Sequence, residues 1–241
     1  ILLQGVRGEH KTPGEIRKTQ NWIGGSSLKD AFFIPPEPNM LPDLLTDIEK
    51  FLHNENLQVP EIIKAGIAHY QFETIHPFLD GNGRTGRLLI ILYLISTGLL
   101  NKPVLYISDF FERNRISYYD SLSMVKQTDN MTQWLKLFLS GVIETSKNSI
   151  NTFDKIIELK KDVENKLTKI GKKATNGQRL LELLYSQPKV NSRLVSEELE
   201  VTPATANGVL KAFVEIGILE EKTGYNRNRF YVFENYIKIF R

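Results

Sequence analysis

The sequence predicts a mainly α fold: a bundle of amphipathic helices with a β-hairpin flap near its start, followed by a small unit of three helices and a hairpin. Three observations lead there. From Leu41 onward apolar residues recur at spacings of three and four, as at Leu44, Leu45, Ile48, Phe51 and Leu52, the period of a helix face. Before that point two β-prone runs, Gln20-Asn21-Trp22-Ile23 and Ala31-Phe32-Phe33-Ile34, flank a turn-rich stretch from Gly24 to Asp30, which reads as a hairpin with a longer loop. After Gly171-Lys172-Lys173 the helical runs shorten and end in two more β-prone segments.

Each element follows from local signals. Residues 1–40 hold so many glycines and prolines that long helices have no room. Pro42 stands where a first helical turn tolerates it. Further helices are expected from about Pro60 to Phe72, from about Gly83 to Thr97 with Gly98 as its stop, and from about Ser117 to Lys126. A fifth is expected around Trp134 to Leu139, and a separate one from about Glu144 to Ile170. In the last part, Thr202-Pro203 has the N-cap and N1 residues of a helix with the apolar face Val209, Leu210, Phe213 and Ile216. Two β-prone runs, Ile218 to Glu221 and Arg229 to Phe233, turn across Gly224-Tyr225-Asn226. Three helices and a hairpin in this order form a winged helix-turn-helix pattern. The expected domains are 1–145, a connecting helix 146–171, and 172–241.

Composition bounds the function. With 241 residues, 41% of them hydrophobic, the chain has material for a large core and a smaller one. A formal charge of +3 falls well short of a nucleic-acid-coating surface. With no cysteine there is neither a disulfide framework nor a thiol-ligated metal, as a reducing cytoplasm permits. The longest apolar run, Leu88 to Ile95, is far below the roughly 18 residues of a membrane span, so a cytoplasmic protein with no membrane partner is expected. The chain opens on Ile1-Leu2-Leu3, which reads as the end of a helix already under way, so a preceding segment is expected.

Chemistry concentrates in His76-Pro77-Phe78-Leu79-Asp80-Gly81-Asn82-Gly83-Arg84-Thr85-Gly86-Arg87. Gly81 and Gly83 permit positive φ and close approach, so the amides that open the next helix can cradle an anion. Arg84 and Arg87 lie three apart, on one helix face, with forked guanidinium groups suited to phosphate. Two cations at a helix N-terminus oppose its dipole, a cost that a bound anion would offset. Asp80 offers a hard oxygen for magnesium, and His76 can accept a proton near neutral pH. A base, a metal carboxylate and an anion cradle imply attack of a hydroxyl on phosphorus.

At these residues the sequence resembles the Fic family, whose motif is His-x-Phe-x-(Asp/Glu)-Gly-Asn-Gly-Arg-x-x-Arg. Every fixed position is met. The likeness extends over Gly5 to Arg17, Asn21 to Pro36, Ala68 to Glu73 and Lys102 to Tyr119, roughly residues 1–145 in all. It implies a Fic-type helical bundle that uses magnesium and ATP to attach AMP to a hydroxyl of a protein substrate. By that resemblance His76 takes the hydroxyl proton and Asp80 holds magnesium. Gly81, Asn82 and Gly83 form the anion hole, Arg84 and Arg87 bind the outer phosphates, and Phe78 walls the loop. Tyr118 and Tyr119 contact adenine or ribose, and the flap residues Trp22, Ile23, Phe32, Phe33 and Ile34 dock the target as an added strand. The related Doc type carries lysine where Gly83 stands and phosphorylates its target, so glycine here points to AMP transfer.

Competing readings attach to the same residues. Trp22 and Phe32 could be core, Glu73 is expected to brace the loop rather than react, and His69 to be packed or hydrogen-bonded. A zinc between His76 and Asp80 is disfavoured, because two ligands are too few. Between Lys172 and Arg241 there are 11 Lys and Arg against 8 Asp and Glu, thin electrostatics for DNA. DNA binding through 172–241, protein docking there, and a homodimer all stay open. So do a DNA-binding regulator that senses nucleotide, and removal of AMP from modified proteins. The family's restraining Ser/Thr-x-x-x-Glu-Gly/Asn helix has no counterpart in 1–241; it is expected either upstream of Ile1, the reading preferred here, or on another chain.

Overall fold

A computed structural model describes residues 14–168, 174–224 and 229–240. The chain divides into two units with the boundary between Lys147 and Asn148. In the first, a 3-10 turn at Pro38–Met40 leads into α1 (Leu41–Leu52), followed by α2 (Glu61–Ile75), α3 (Asn82–Ser96), α4 (Ile107–Arg113) and α5 (Arg115–Thr128). A 36-residue helix, α6 (Thr132–Leu167), crosses the boundary.

The helices exist because their apolar faces have somewhere to go. α1 buries Leu41 and Ile48 against Ala68, Phe72 and Ile75 of α2, with Phe78 and Leu89 beside them. A second cluster gathers Ile90, Tyr93 and Leu94 of α3, Ile107, Phe110 and Phe111 of α4, Tyr118 and Val125 of α5, and Trp134 and Phe138 of α6. Trp134 is fully buried, and its indole Nε1 donates to the Gly66 carbonyl at 2.9 Å. The two clusters hold α2 and α3 side by side, and the loop between them is the motif segment.

Two expectations about helices are corrected. The apolar runs around Trp134 and beyond Glu144 are one helix, α6, because Gly141 is no breaker: a Cβ there would lie 2.6 Å from the Phe110 ring, so this glycine allows a close helix approach. The short helix α4, which buries Phe110 and Phe111, was not expected. The flap is also less regular than a hairpin of two strands. Its two arms meet at one antiparallel bridge, in which Ile23 and Phe33 exchange hydrogen bonds of 2.8 and 3.1 Å.

The second unit contains α7 (Ala174–Ser186), α8 (Ser192–Glu198), α9 (Pro203–Glu215) and the strands β1 (Lys189–Asn191), β2 (Glu220–Glu221) and β3 (Phe230–Val232). The strands form an antiparallel sheet in the order β1-β3-β2, with Val190 opposite Tyr231 and Glu220 opposite Val232. Thr202 caps α9 by accepting from the Thr205 amide. Leu180, Leu181, Leu184, Val195, Leu210 and Phe213 are almost wholly buried in a core that also takes Val163 and Leu167. The strand β1 was not expected. The expected break at Gly171-Lys172-Lys173 and the turn at Tyr225-Asn226 lie outside the described residues, as do Ile1 to Pro13.

Trp134 ties the first unit together, so Trp134→Ala should destabilise it by about 3–5 kcal/mol, because the change opens a cavity and removes the indole donor. Denaturant unfolding followed by circular dichroism measures the loss.

Candidate functional site

The site begins where α2 stops. His76 caps the C-terminus of α2 in the left-handed region, with φ 50° and ψ 59°, a conformation uncommon for a residue with a side chain. The turn reverses the chain and brings the imidazole back over the last turn of α2. There His76 Nδ1 donates to the Glu73 carbonyl at 3.3 Å. A carbonyl can only accept, so the proton sits on Nδ1 and Nε2 keeps a lone pair. Burial lowers the imidazole pKa below its ordinary value, which keeps the ring neutral.

Two side chains pin this turn. Arg17 is 2% exposed, and its Nε donates to the His76 carbonyl at 2.9 Å, while its backbone amide donates to Pro77. Its other guanidinium nitrogens reach carbonyls of Thr19 and Pro36, so one buried arginine ties the base of the flap to the loop. Sequence reading missed Arg17, since a buried arginine that serves backbone carbonyls has no spacing signature. Asn82, also 2% exposed, closes the loop from the other side: its Oδ1 accepts from the Phe78 amide at 2.8 Å and its Nδ2 donates to the Phe78 carbonyl at 2.7 Å. The Asn82 side chain is therefore committed to the loop, and only its backbone amide faces the cradle expected from the sequence.

Gly81, with φ 87°, is the N-cap of α3, a backbone conformation that a side chain would strain. The first-turn amides of α3 have no intrahelical acceptor and form a concave set of donors. Asp80 Oδ1 accepts from the Gly81 amide at 2.6 Å and lies 3.8 Å from Arg84 Nη2. Arg84 stands on the first turn of α3 and Arg87 on the second, one place further along than expected. Behind them Gly86 permits close packing on α2: a Cβ there would lie 2.7 Å from Glu73 Oε1 and 3.2 Å from the His69 ring.

That contact zone is polar. His69 is wholly buried, its pKa pushed down to about 4 by desolvation, and its Nε2 meets the Tyr118 hydroxyl at 2.9 Å. Glu73, opposed only by the charge of Arg87, has a pKa pushed up to about 7 by burial. The nucleotide contact expected of Tyr118 is corrected here: its ring is 5% exposed inside the aromatic cluster and its hydroxyl is taken by His69. Tyr119, 43% exposed, does face the site, lining a cavity of about 250 Å³ with Ile23, Phe32, Phe33 and Glu73. Lys126 Nζ sits 3.1 Å from the centre of the Phe33 ring at its edge. Phe78 instead turns inward, its ring 6.2 Å from that of Phe72. Trp22, Phe32 and Ile34 expose 41, 65 and 49% of their surface, so the flap presents apolar side chains rather than burying them as core.

Among the described residues no cluster of three or more His, Cys, Asp or Glu could form a protein-only metal site. Asp80, a single half-exposed carboxylate beside amide donors, fits an ion that arrives with phosphate oxygens of its own.

The raised pKa of Glu73 carries a sign. In the folded chain the carboxyl ionises near pH 7, in the unfolded chain near its ordinary 4.5, so ionising it burdens the fold above pH 7 and costs nothing below about 4.5. Glu73→Gln should therefore raise stability at pH 8 by up to about 3 kcal/mol, a gain that disappears as the pH falls to 4.5. Urea titrations of both proteins at several pH values measure it.

The comparisons with known proteins agree with this geometry. Residues 1–94 match the Fic/DOC family. The chain is 34% identical over 152 residues to a probable protein adenylyltransferase of Aquifex aeolicus, covering 60% of this chain and 43% of that protein. It is 35% identical over 141 residues to the protein adenylyltransferase fic-1 of Caenorhabditis elegans, covering 58% of this chain and 24% of that one. The chain thus spans less than half the length of these relatives. Among solved structures, a Fic family protein from Desulfovibrio desulfuricans G20 shares the fold at a TM-score of 0.54 and 20% identity, over 94% of this chain and 64% of the other. A motif met at every fixed position and a loop folded to present it go with these matches, in which residues 1–94 are similar to the Fic/DOC family.

Proposed function

We propose that the chain transfers AMP from ATP to a hydroxyl group of a protein substrate, releasing pyrophosphate. One observation carries this reading: the left-handed turn at His76 leaves Nε2 with a free lone pair, with Asp80 near enough to act on its charge and the start of α3 following in the same loop. In this reading Nε2 takes the proton from the attacking hydroxyl as its oxygen bonds the α-phosphorus. The bond from that phosphorus to the oxygen bridging the β-phosphorus breaks, and pyrophosphate departs with that electron pair.

The surrounding residues supply position and charge, the two terms on which phosphoryl-type transfers rest. The backbone amides of Asn82 and Gly83 and the guanidinium groups of Arg84 and Arg87 hold phosphate oxygens, while Gly81, whose amide serves Asp80, shapes the turn. Asp80 would hold the magnesium ion, which when bound neutralises charge that develops on the phosphates. The cavity beside Tyr119 takes the base and ribose, and the exposed residues of the flap, Trp22, Phe32 and Ile34, hold an extended segment of the target against the Ile23–Phe33 bridge.

For residues 172–241 we propose a winged helix unit, on the order of its helices and its three-stranded sheet. A DNA-binding regulator draws no specific support from it. Three of the described cations around α9 and the sheet stand in ion pairs with carboxylates: Arg193 with Glu197 at 2.8 Å, Lys211 with Glu215 at 3.8 Å and Arg229 with Glu221 at 3.4 Å. No helix among the described residues is long and apolar enough to cross a membrane.

With ATP labelled at the α-phosphate, a lysate incubated with the chain should gain label on protein, and His76→Ala should lower the rate at least ~10²-fold. ATP labelled at the γ-phosphate should leave protein unlabelled. Label from the γ-position would mean phosphorylation instead.

A further inference from the structure

We propose that Glu73 couples nucleotide binding to the uptake of one proton, so that this positioning carboxyl is neutral whenever the phosphate cradle is filled. The proposal rests on the nucleotide reading of the site above, and it begins with a group for which that reading has no use. Glu73 lies on the last turn of α2, one turn before His76, and its Oε1 is buried without a hydrogen-bond partner. A Cβ on Gly86 would lie 2.7 Å from that oxygen and one on Gly83 3.8 Å, so the carboxyl stands directly behind the first turns of α3, the turns that form the cradle.

The charges around it leave little to balance an ionised carboxylate. From α3, Arg87 acts on it, with Nη1 3.2 Å from the same point on Gly83, yet no hydrogen bond is made to Oε1. Arg84 lies further forward, beside Asp80. From α2 itself, His69 is neutral, committed to Tyr118, and its Nδ1 also lacks a partner. His76 is kept neutral by burial. α5 contributes Tyr118, whose hydroxyl resists ionisation, and, at the cavity that Glu73 also lines, Tyr119 and Lys126. From the flap side, Arg17 is spent on carbonyls.

Phosphates in the cradle would put further negative charge against this carboxylate and draw Arg87 away from it. Both effects favour the protonated form, and burial has already moved its ionisation to about pH 7, so the required proton is within reach near neutrality. A neutral Glu73 then also gains an O–H donor where it had only acceptors.

The test is calorimetric titration of the magnesium complex of α,β-methylene-ATP, which cannot transfer AMP, into the chain at pH 8 in two buffers of different ionisation enthalpy. Wild type should take up close to one proton more than Glu73→Gln. Above pH 7 its affinity should fall by up to about tenfold per pH unit relative to that variant. Protonation of the phosphates or of His76 is common to both proteins and cancels in the difference. Equal proton counts and parallel pH profiles would overturn the proposal, while leaving the nucleotide site in place. Absence of binding by either protein would overturn the nucleotide reading and this proposal together. Should Glu73→Gln fail to fold, wild type alone decides, since no proton uptake at pH 8 contradicts the coupling.

Discussion

The site depends on one backbone constraint: α2 ends at His76 in the left-handed conformation, and the chain from there to Gly81 must close onto the start of α3. With φ at 50° His76 carries strain that a glycine would not, and the structure holds it in place from three sides. Arg17 occupies the His76 carbonyl, the Glu73 carbonyl occupies Nδ1, and the Asn82 side chain pairs with both backbone groups of Phe78. Because these partners are backbone groups, the turn is set by the loop itself, and the imidazole inherits both its position and its tautomer.

The apolar clusters turn that local arrangement into a rigid one. Phe72, Ile75 and Phe78 sink into the core shared with α1, while Ile90, Tyr93 and Leu94 anchor the far side of α3 among the aromatics around Trp134. Between these two layers α2 and α3 approach closely enough at Gly86 that a Cβ there would press on Glu73 and His69, and in that seam lie the polar groups His69, Glu73 and Tyr118. Burying them is costly, and a sequence selected for stability alone would replace them with apolar residues of similar volume. Their presence directly behind the start of α3 would tie the electrostatics of the fold to the charge that the proposed cradle takes.

Legibility in the sequence followed the kind of signal each feature leaves. The motif was readable because its residues are spaced along one turn and one helix start: His76, Asp80 and Gly81 lie on that turn and Arg84 on the first turn of α3, with Arg87 one turn on. The helix faces of α1 and α9 were readable from their apolar periods. Arg17, the role of Glu73 and the commitment of Tyr118 to His69 were not, because each depends on a partner from a different part of the chain. For α6, the expected division into a helix around Trp134 to Leu139 and another from about Glu144 missed that Gly141 serves close packing on Phe110 inside one continuous helix. Asn82 shows the same limit at short range: its place in the motif was plain, but that its side chain serves the loop rather than a ligand follows only from the geometry.

If the turn at His76 does what is claimed for it, the imidazole carries its proton on Nδ1 and leaves Nε2 bare before any ligand arrives. Nitrogen-15 NMR of the ring at neutral pH reads this directly from the shifts of the two nitrogens. The account predicts the Nδ1–H tautomer, lost in favour of an equilibrium mixture when the turn is loosened by Arg17→Ala. A ring protonated on Nε2 in the intact chain would contradict it, since no base would then face the cradle.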